Sequence, residues 1–332
     1  MARIVLGAGT SHTPLLTLDG ARWSERAADD LKNQRLVLSD GRTLSYQMLQ
    51  AERGEPYAER ARREHFIEQH RVAQAALEHL ADAIEAAAPD VMIVIGDDQA
   101  ELFGTDNMPA VAIYYGADVV MHPWPDLDQE PAWRIPVTDG YAMDAAHVFP
   151  GHPELAEYLV RRLIAAEIDV GVARSVPDPV RNGFGHAYGF IVKRLMRGRR
   201  IPMIPVLLNT YFPPNTPLPR RCYDIGRALR AAVESSPLDL KVCIIASGGL
   251  SHFVTDEVLD RRVLEALRLG DRSQLDTLPE HALLSGSSEI RNWIMLGGAI
   301  AGLKNTWCEY YPIYRTPAGT GVGLAFATWH EH

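Results

Sequence analysis

The sequence is poor in cysteine, with Cys222, Cys243 and Cys308 widely separated among 332 residues. An odd number of distant cysteines without CxxC spacing excludes a disulfide framework and a zinc ribbon. Thiols that are few and unpaired are typical of a reducing compartment, so we predict a cytoplasmic protein.

Positive charge is also in short supply, since 33 Lys and Arg residues stand against 42 Asp and Glu residues and give a formal net charge of −9. Proteins that bind DNA or RNA normally carry a basic surface, so we expect no nucleic-acid partner. No apolar run approaches the roughly 18 residues that a transmembrane helix needs, which predicts no membrane partner. The apolar N-terminal stretch soon reaches Ser11-His12-Thr13-Pro14, too early and too polar for the core of a signal peptide.

Apolar residues make up 47% of the chain and charged residues 23%, a composition typical of globular proteins. Apolar runs rich in β-branched residues alternate with helical patterns, which predicts an α/β fold. We predict one domain over residues 1–332, a three-layer sandwich with a mostly parallel or mixed central sheet and an inserted helical segment. Strands are expected at residues 4–6, 91–95, 110–115, 169–173, 201–208, 242–246 and 322–327. Helices are expected at residues 66–84, 155–168, 188–196, 223–233, 257–269 and 289–303.

Two segments interrupt this alternation of strands and helices. Residues 17 to about 64 are polar, charged and broken by glycines, which predicts an inserted, lid-like segment with short helices. Residues 123–153 are rich in Pro, Trp and Asp and predict a long loop. Long loops in compact domains are often functional.

Polar side chains follow several predicted strands, at the positions where ligands bind in open α/β sheets. Because strand ends on one edge of a sheet converge, these side chains predict a pocket of metal ligands and acid–base groups. Imidazole and carboxylate suit divalent iron, manganese or zinc, and imidazole is the base that titrates closest to neutrality. The residues concerned are His12, Asp97-Asp98-Gln99, Asn209-Thr210-Tyr211 and Gly248-Gly249-Leu250-Ser251-His252, with His186 directly before a helix.

Each of these residues also has a plain structural alternative. A single histidine after a strand is more often part of a turn or a hydrogen-bonded cap than a metal ligand. Asp97 and Asp98 would serve equally well as caps of the next helix, and Gly248-Gly249 as a tight turn. Gly7-Ala8-Gly9 lacks the third glycine of a dinucleotide fingerprint, which excludes NAD binding there.

Taken in order, these motifs make the chain resemble the class III extradiol ring-cleavage dioxygenases from His12 to about Trp329. Ser11-His12-Thr13-Pro14 is similar to the motif of the family's first metal ligand, and residues 248–252 are similar to the motif whose histidine acts as a base. Gly185-His186 lies where the family has a second acid–base histidine. Ser288-Glu289 lies where it has a carboxylate metal ligand.

The resemblance implies a catalytic domain that uses Fe(II) to bring a catechol-type aromatic substrate and dioxygen together, and that opens the ring beside the hydroxyls rather than between them. His252 would take a proton from a hydroxyl or steady the oxygen, and His186 would deliver a proton during ring opening. The resemblance also implies a homo-oligomer. The inserted segment would replace the small helical subunit that covers the pocket in some relatives.

One position departs from the family pattern. A second histidine ligand normally follows the second core strand after an aspartate, whereas Asp98 takes that place here, with Gln99 beside it. Either His12, Asp98 and Glu289 hold the metal, or a ligand comes from elsewhere in the chain, and His122, His147 or His152 would replace the missing imidazole, although nothing in the spacing selects one of them. Two carboxylates with one imidazole make a harder site, which makes Mn(II) possible besides Fe(II).

The departure at Asp98 keeps a second function open, a metal-dependent hydrolase or lyase on the same scaffold without dioxygen. A third possibility is an interaction protein that has lost its metal, against which the retention of His12, His186, His252 and Glu289 argues. Glu289 is also compatible with a favourable acidic residue at a helix start capped by serine.

Three further residues are candidates for substrate contact. Tyr188 follows His186 by two residues and is predicted to contact a bound ring. Asn209 and Tyr211 offer an amide and a phenol at a strand end, with a rigid proline turn as the alternative. The substrate stays open, because the arginines considered as carboxylate ligands are by default surface residues; they are Arg181, Arg220, Arg221 and Arg291.

Overall fold

A mixed β-sheet runs through the centre of the computed structural model, which describes residues 1–125 and 127–331. Named in chain order, the strands are β1 (Arg3–Thr10), β2 (Leu36–Val37), β3 (Thr43–Leu44), β4 (Val91–Asp97), β5 (Val111–Tyr114), β6 (Asp118–Val120), β7 (Val148–Pro150), β8 (Gly171–Ala173), β9 (Met203–Leu208), β10 (Lys241–Ser247), β11 (His252–Val254), β12 (Lys304–Tyr314) and β13 (Thr320–His330).

Within the described part of the chain, nine strands form the central sheet in the order β11-β13-β1-β10-β4-β9-β5-β8, with β12 also paired to β13. The pairs β1–β10, β10–β4, β4–β9 and β5–β8 are parallel. Antiparallel pairs join β13 to β1, β11 and β12, and β5 to β9. The short strands β2 and β3, and likewise β6 and β7, form separate two-stranded ladders.

The helices lie between the strands along the chain. They are α1 (Trp23–Asp30), α2 (Tyr46–Arg53), α3 (Arg63–Ala87), α4 (Arg134–Gly140), α5 (Pro153–Ala165), α6 (His186–Phe190), α7 (Pro219–Glu234), α8 (Glu257–Leu269), α9 (Arg272–Asp276) and α10 (Ile290–Ala299). A π-helical turn, Ile191–Leu195, continues α6, and a 3₁₀ turn, Ser285–Glu289, leads into α10. Among the residues described, none of the helices combines the length and apolarity needed to cross a bilayer.

Side chains along the central strands alternate between two hydrophobic clusters, because successive residues of a strand point to opposite faces of the sheet. In β4, Val91, Ile93 and Ile95 belong to one cluster, and Met92 and Val94 belong to the other. The first cluster also contains apolar residues of α5, α7, α8 and α10, and the second contains those of α3 and α6. Helices therefore cover both faces, and the predicted α/β sandwich with a mixed central sheet is confirmed.

Each predicted strand and helix has a counterpart in the structure, with bounds that differ by a few residues. The sequence patterning did not predict β11 or β12. Most side chains of β12 are half-buried because it is paired with β13 alone, so it lacks the continuous apolar run that marks a central strand.

The two interrupting segments both contain regular structure. Residues 17–64 form α1, the β2–β3 ladder and α2, and place Leu36, Leu44 and Leu49 in a small cluster with Val254 of β11. The prediction of a long loop over residues 123–153 was wrong in the part that the structure describes. It contains α4 and β7, whose short length gave no clear periodicity in the sequence.

The parallel strands β1, β10 and β4 end at the same edge of the sheet. Thr10 of β1 lies opposite Ser247 of β10, and Ala246 lies opposite Ile95 of β4. The residues that follow these strands are therefore neighbours in space although they are far apart in sequence.

Helices α7 and α10 pack so closely that Gly226 of α7 has no room for a side chain. A Cβ atom there would overlap the backbone carbonyl of Met295 in α10. We predict that Gly226→Ala lowers the free energy of unfolding by about 1–3 kcal/mol, because overpacking outweighs the gain of about 1 kcal/mol that alanine normally brings to a helix. Urea denaturation would measure this change. Arg227→Ala, at the exposed neighbouring position, is the control, and a Gly226→Ala protein as stable as wild type would contradict the close contact.

Candidate metal centre and active site

Four side chains from separate parts of the chain meet at this edge of the sheet. His12 follows β1, Asp97 ends β4, His186 begins α6 and Glu289 directly precedes α10. One ligand atom from each of them lies within 4.8 Å of the corresponding atom of every other. We call these residues the four-residue cluster.

The tightest contacts in the four-residue cluster centre on His12. Its Nε2 lies 3.1 Å from Oε2 of Glu289 and 4.0 Å from Oδ1 of Asp97. The rings of His12 and His186 meet edge to face, with centroids 4.7 Å apart. His12, Asp97 and Glu289 are each at most 3% exposed, so the two carboxylates are largely removed from water.

Hydrogen bonds outside the cluster fix the tautomer of His12. The Ser247 hydroxyl donates to the carbonyl of Ala187 at 2.6 Å, so its oxygen is left to accept a proton from Nδ1 of His12 at 3.0 Å. The neutral ring then carries no proton on Nε2. That buried atom has no hydrogen-bond partner of good geometry among the described residues, as expected for a metal-binding nitrogen.

Two other histidines are held in the same way. Nδ1 of His186 donates to Oε1 of Glu101 at 3.1 Å, and Nδ1 of His252 donates to the Leu250 carbonyl at 2.8 Å. In both rings Nε2 therefore lies on the opposite side from this hydrogen bond. Nε2 of His186 is 3.3 Å from Nε2 of Gln99, and Nε2 of His252 is 3.3 Å from Oε1 of Glu289.

The two buried carboxylates of the cluster have opposite pKa shifts. Burial raises the pKa of Asp97, and the negative charge of Glu289 raises it further. Burial also acts to raise the pKa of Glu289, but the nearby His252 and His12 outweigh it and hold the pKa well below its usual range. Asp97 and Glu289 offer carboxylate oxygens within 4.8 Å of each other. Because two negative charges so close together repel each other, a cation bound between them is favourable.

The pKa values of His186 and His252 are both raised. Burial alone would lower the pKa of His186, but the ion pair with Glu101 raises it to about 9. For His252, burial is likewise outweighed, here by the charge of Glu289 and the hydrogen bond to it. Both imidazoles are therefore tuned by acidic neighbours rather than by solvent.

The donor set of the four-residue cluster fits a divalent transition metal. Two imidazoles and two carboxylates suit Fe(II), Mn(II) or Zn(II), and two histidines with one carboxylate are the facial set of non-haem Fe(II) oxygenases. The unpartnered Nε2 of His12 and the carboxylate of Glu101 behind His186 are the features that such a site needs.

Asp98, predicted as a metal ligand, is not brought to the cluster. Its carboxylate accepts hydrogen bonds from the backbone N–H groups of Glu101, Leu102 and Phe103, so it caps the turn that follows β4. Burial, followed by the charge of Glu101, raises its pKa to about 8. Asp97, one residue earlier, stands in the cluster instead.

The three predicted substrate contacts are placed differently from one another. Tyr211 lines the cleft and donates to Oε1 of Glu289 at 2.7 Å. The Tyr188 hydroxyl instead donates to the carbonyls of Gly96 and Val206 inside the core. Asn209 holds the turn after β9 through hydrogen bonds with Phe212 and Asn215, which is the structural alternative.

His252 stands beside the cluster with its position fixed from two sides. Its backbone N–H donates to the Ser287 hydroxyl, which in turn donates to the His252 carbonyl, both at 3.1 Å. A Cβ atom at Gly286 would overlap the imidazole ring. The ring therefore has little freedom to leave the cleft.

A cleft of about 550 Å³ opens over the cluster and His252. Its outer wall is aromatic and cationic, with Trp124, Trp133 and Phe253 beside Arg26, Arg134 and Arg315. A volume of this size accommodates one small aromatic molecule. The cleft thus joins a metal-binding floor to a wall suited to a flat ring.

Sequence reasoning missed several of these residues. Asp97 stood among the candidate pocket residues, but Asp98 was chosen as the ligand, and nothing in the spacing separated the two. Glu101, Arg26 and Arg315 carried no motif, because their roles depend on contacts with distant segments. His122 lines the cleft, but it is absent from the four-residue cluster.

Comparison with known proteins gives one family match and several partial relatives. Residues 64–325 match the family described as the catalytic LigB subunit of aromatic ring-opening dioxygenase. Gallate dioxygenase of Pseudomonas putida is 32% identical over 184 residues, which cover 52% of each chain. The 2,3-dihydroxyphenylpropionate/2,3-dihydroxicinnamic acid 1,2-dioxygenases of Mycobacterium ulcerans and Cupriavidus necator are 33% and 28% identical over 105 and 171 residues, or 29% and 46% of those proteins.

The chain spans about half the length of the first of these relatives and less of the other two. The family match is broader, since it covers most of the chain and includes Asp97, His186, His252 and Glu289. The chain therefore belongs to the family of the catalytic LigB subunit of aromatic ring-opening dioxygenases, as the resemblance of its motifs to class III extradiol enzymes predicts.

Proposed function

We propose that the protein is a non-haem Fe(II)-dependent extradiol dioxygenase that opens the ring of a catechol-type aromatic substrate with dioxygen. The observation that carries the proposal is the four-residue cluster of two imidazoles and two carboxylates at the floor of an aromatic cleft, in a chain of the ring-opening family. The relatives named above act on aromatic acids with adjacent hydroxyl groups, which supports a substrate of this kind.

In this proposal His12 and His186 hold the metal through Nε2, together with Glu289 and Asp97. His186 thus supplies the second imidazole that is missing after β4, and its role changes from the proton donor predicted above to a ligand. The Nδ1–H of His186 bonded to the Glu101 carboxylate favours this role, because metal-bound histidines commonly donate their other N–H to a carboxylate. When bound, Fe(II) would supply Lewis acidity towards two phenolic oxygens and the one-electron chemistry that dioxygen requires.

His252 acts as the general base. Its Nδ1–H is committed to the Leu250 carbonyl, so Nε2 is the atom that takes a proton from a substrate hydroxyl. The carboxylate of Glu289, 3.3 Å away, stabilises the imidazolium that results.

The alternative of a hydrolase or lyase gains no support. It was motivated by Asp98 as a ligand, and the Asp98 carboxylate is bound by three backbone N–H groups instead. We also propose that segment 17–64 forms part of the cleft wall through Arg26, and that the enzyme works in the cytoplasm as a homo-oligomer, as the resemblance implies.

The first prediction concerns the reaction itself. Protein prepared without oxygen and supplied with Fe(II) should hold about one iron per chain, because it has one such donor set in the described residues. On a panel of catechols it should then consume oxygen and give a coloured ring-opened product. Metal binding without oxygen uptake on a wide panel would count against the dioxygenase and in favour of a reaction without dioxygen.

The second prediction separates the ligands from the base. His12→Ala should lose the metal, because it removes the nitrogen that no protein group satisfies. His252→Ala should keep the metal and lower kcat by about 10²–10⁴-fold, the usual contribution of a general base. Metal analysis and oxygen uptake measure both effects, and full metal content in His12→Ala would show the ligand assignment to be wrong.

The third prediction tests His186 as a ligand through its carboxylate partner. Glu101→Gln should weaken Fe(II) affinity by about 10–100-fold, since it removes the acceptor that orients and polarises the imidazole. Glu130→Gln is the matched control, because Glu130 lines the same cleft but pairs with Arg134. Competition with a chelator would measure the affinity, and equal affinity in both variants would argue that His186 stays outside the metal site.

A further inference from the structure

A second group of buried charges lies in the wall of the cleft, separate from the four-residue cluster. Arg315 donates from Nε to Oδ2 of Asp30 at 2.7 Å, and Arg26 donates from Nη1 to Oδ1 of the same carboxylate at 2.7 Å. The Thr320 hydroxyl adds a hydrogen bond to Oδ2 at 2.8 Å. We call Arg26, Asp30 and Arg315 the arginine clamp.

The arginine clamp carries one uncompensated positive charge, since two guanidinium groups share one carboxylate. The Arg315 side chain is 3% exposed, and its Nη2 is buried without a hydrogen-bond partner among the described residues. A buried cationic donor of this kind is unfavourable until an acceptor reaches it. The missing partner is therefore an anion.

The register of the sheet places this unpartnered donor next to the active-site strand. The backbone N–H of Arg315 donates to the carbonyl of Thr320 at the start of β13. Thr320 in turn lies opposite Val254 of β11, the strand that begins with His252. Arg315, Phe253 and His252 all line the cleft. Arg26 also lies about 6 Å from the ring centres of Phe253 and Trp133, measured as 5.8 and 5.7 Å.

The other arginines near the site are already engaged. Arg134 also lines the cleft, and its buried Nε has no hydrogen-bond partner of good geometry, but its charge is paired because that Nε lies 3.0 Å from Oε2 of Glu130. Arg291, one of the arginines considered from the sequence, donates to the carbonyls of Pro217 and Leu283. Arg315 lines the cleft and combines a donor atom without a partner with a share in an unbalanced charge.

We propose that Arg315, positioned by Asp30 and flanked by Arg26, binds the carboxylate of a dihydroxyaromatic acid in the cleft. The assignment rests on the proposed ring-cleaving function and adds the residue that selects acids over neutral catechols. A guanidinium group matches the planar, two-oxygen geometry of a carboxylate. Phe253 and Trp133 provide flat apolar surfaces for the ring that carries it.

The test compares each acid with its uncharged isostere. The probes are 3,4-dihydroxybenzoate against 3,4-dihydroxybenzamide, and 3-(2,3-dihydroxyphenyl)propionate against its amide. Binding without oxygen is followed by quenching of the intrinsic tryptophan fluorescence, to which Trp124 and Trp133 in the cleft contribute. Wild type should bind at least one acid about 10–100-fold more tightly than its amide, the range of a hydrogen bond to a charged group. Arg315→Met should abolish this preference and leave amide binding unchanged.

Matched variants keep the test decisive. Arg134→Met removes an already paired arginine of the same cleft and should keep the preference for the acid. If Arg315→Met does not fold, the double variant Asp30→Asn/Arg315→Met removes both charges together, and Arg315→Lys should retain part of the preference. Circular dichroism and thermal denaturation check that each variant is folded.

Several outcomes would overturn the assignment. Equal binding of acid and amide by wild type on both pairs would do so, as would a preference that survives Arg315→Met or that is lost in Arg134→Met. Oxygen uptake on the same probes tests the ring-cleaving function separately. If the protein cleaves the ring but shows no preference for acids, the binding role of the arginine clamp is refuted and the proposed function stands. If the preference depends on Arg315 but no ring is cleaved, the proposed function is refuted and the binding role stands.

Discussion

The site depends on one recurring arrangement, an imidazole whose Nδ1–H is bound to a fixed acceptor so that Nε2 is directed to the other side of the ring. Ser247 does this for His12, Glu101 for His186 and the Leu250 carbonyl for His252. Each acceptor is held by the fold. The rings cannot rotate without breaking this hydrogen bond, and for His12, where it is fully buried, the group left unsatisfied costs about 1–3 kcal/mol. The carboxylates of Asp97 and Glu289 then concentrate negative charge in the space that the nitrogens of the four-residue cluster face.

The sheet provides this arrangement because parallel strands end together. β1, β10 and β4 are neighbours, so the residues after them share one edge although about 150 residues separate β4 from β10 in the chain. His186 then comes from the first residue of α6, and Glu289 from the 3₁₀ turn that leads into α10. The chemistry stands on rigid elements, whereas the outer wall of the cleft comes in part from the two interrupting segments.

Much of this could be predicted from the sequence, for reasons that are local. The central strands are buried on both faces and therefore read as continuous apolar runs, and His12, His252 and Glu289 sit in recognisable motifs beside them. Which of Asp97 and Asp98 joins the four-residue cluster could not be predicted. The direction of each side chain depends on how the chain turns after β4, and the sequence does not reveal that turn. Tyr188 was misread for a similar reason, since two residues after His186 its ring enters the core rather than the cleft. Glu101 and Arg315 act through partners 85 and 285 positions away, which no pattern in one sequence reveals.

The contact between Asp30 and Arg315 has a consequence for how such a chain changes over evolution. Asp30 belongs to the segment of residues 17–64, and Arg315 to the turn between β12 and β13. A segment 17–64 without an acid at position 30 would leave the buried Arg315 and the half-buried Arg26 without the counter-ion that they share. Residues 17–64 and the β12–β13 turn are therefore coupled through one buried ion pair, so neither can be exchanged alone without leaving a charge unpaired.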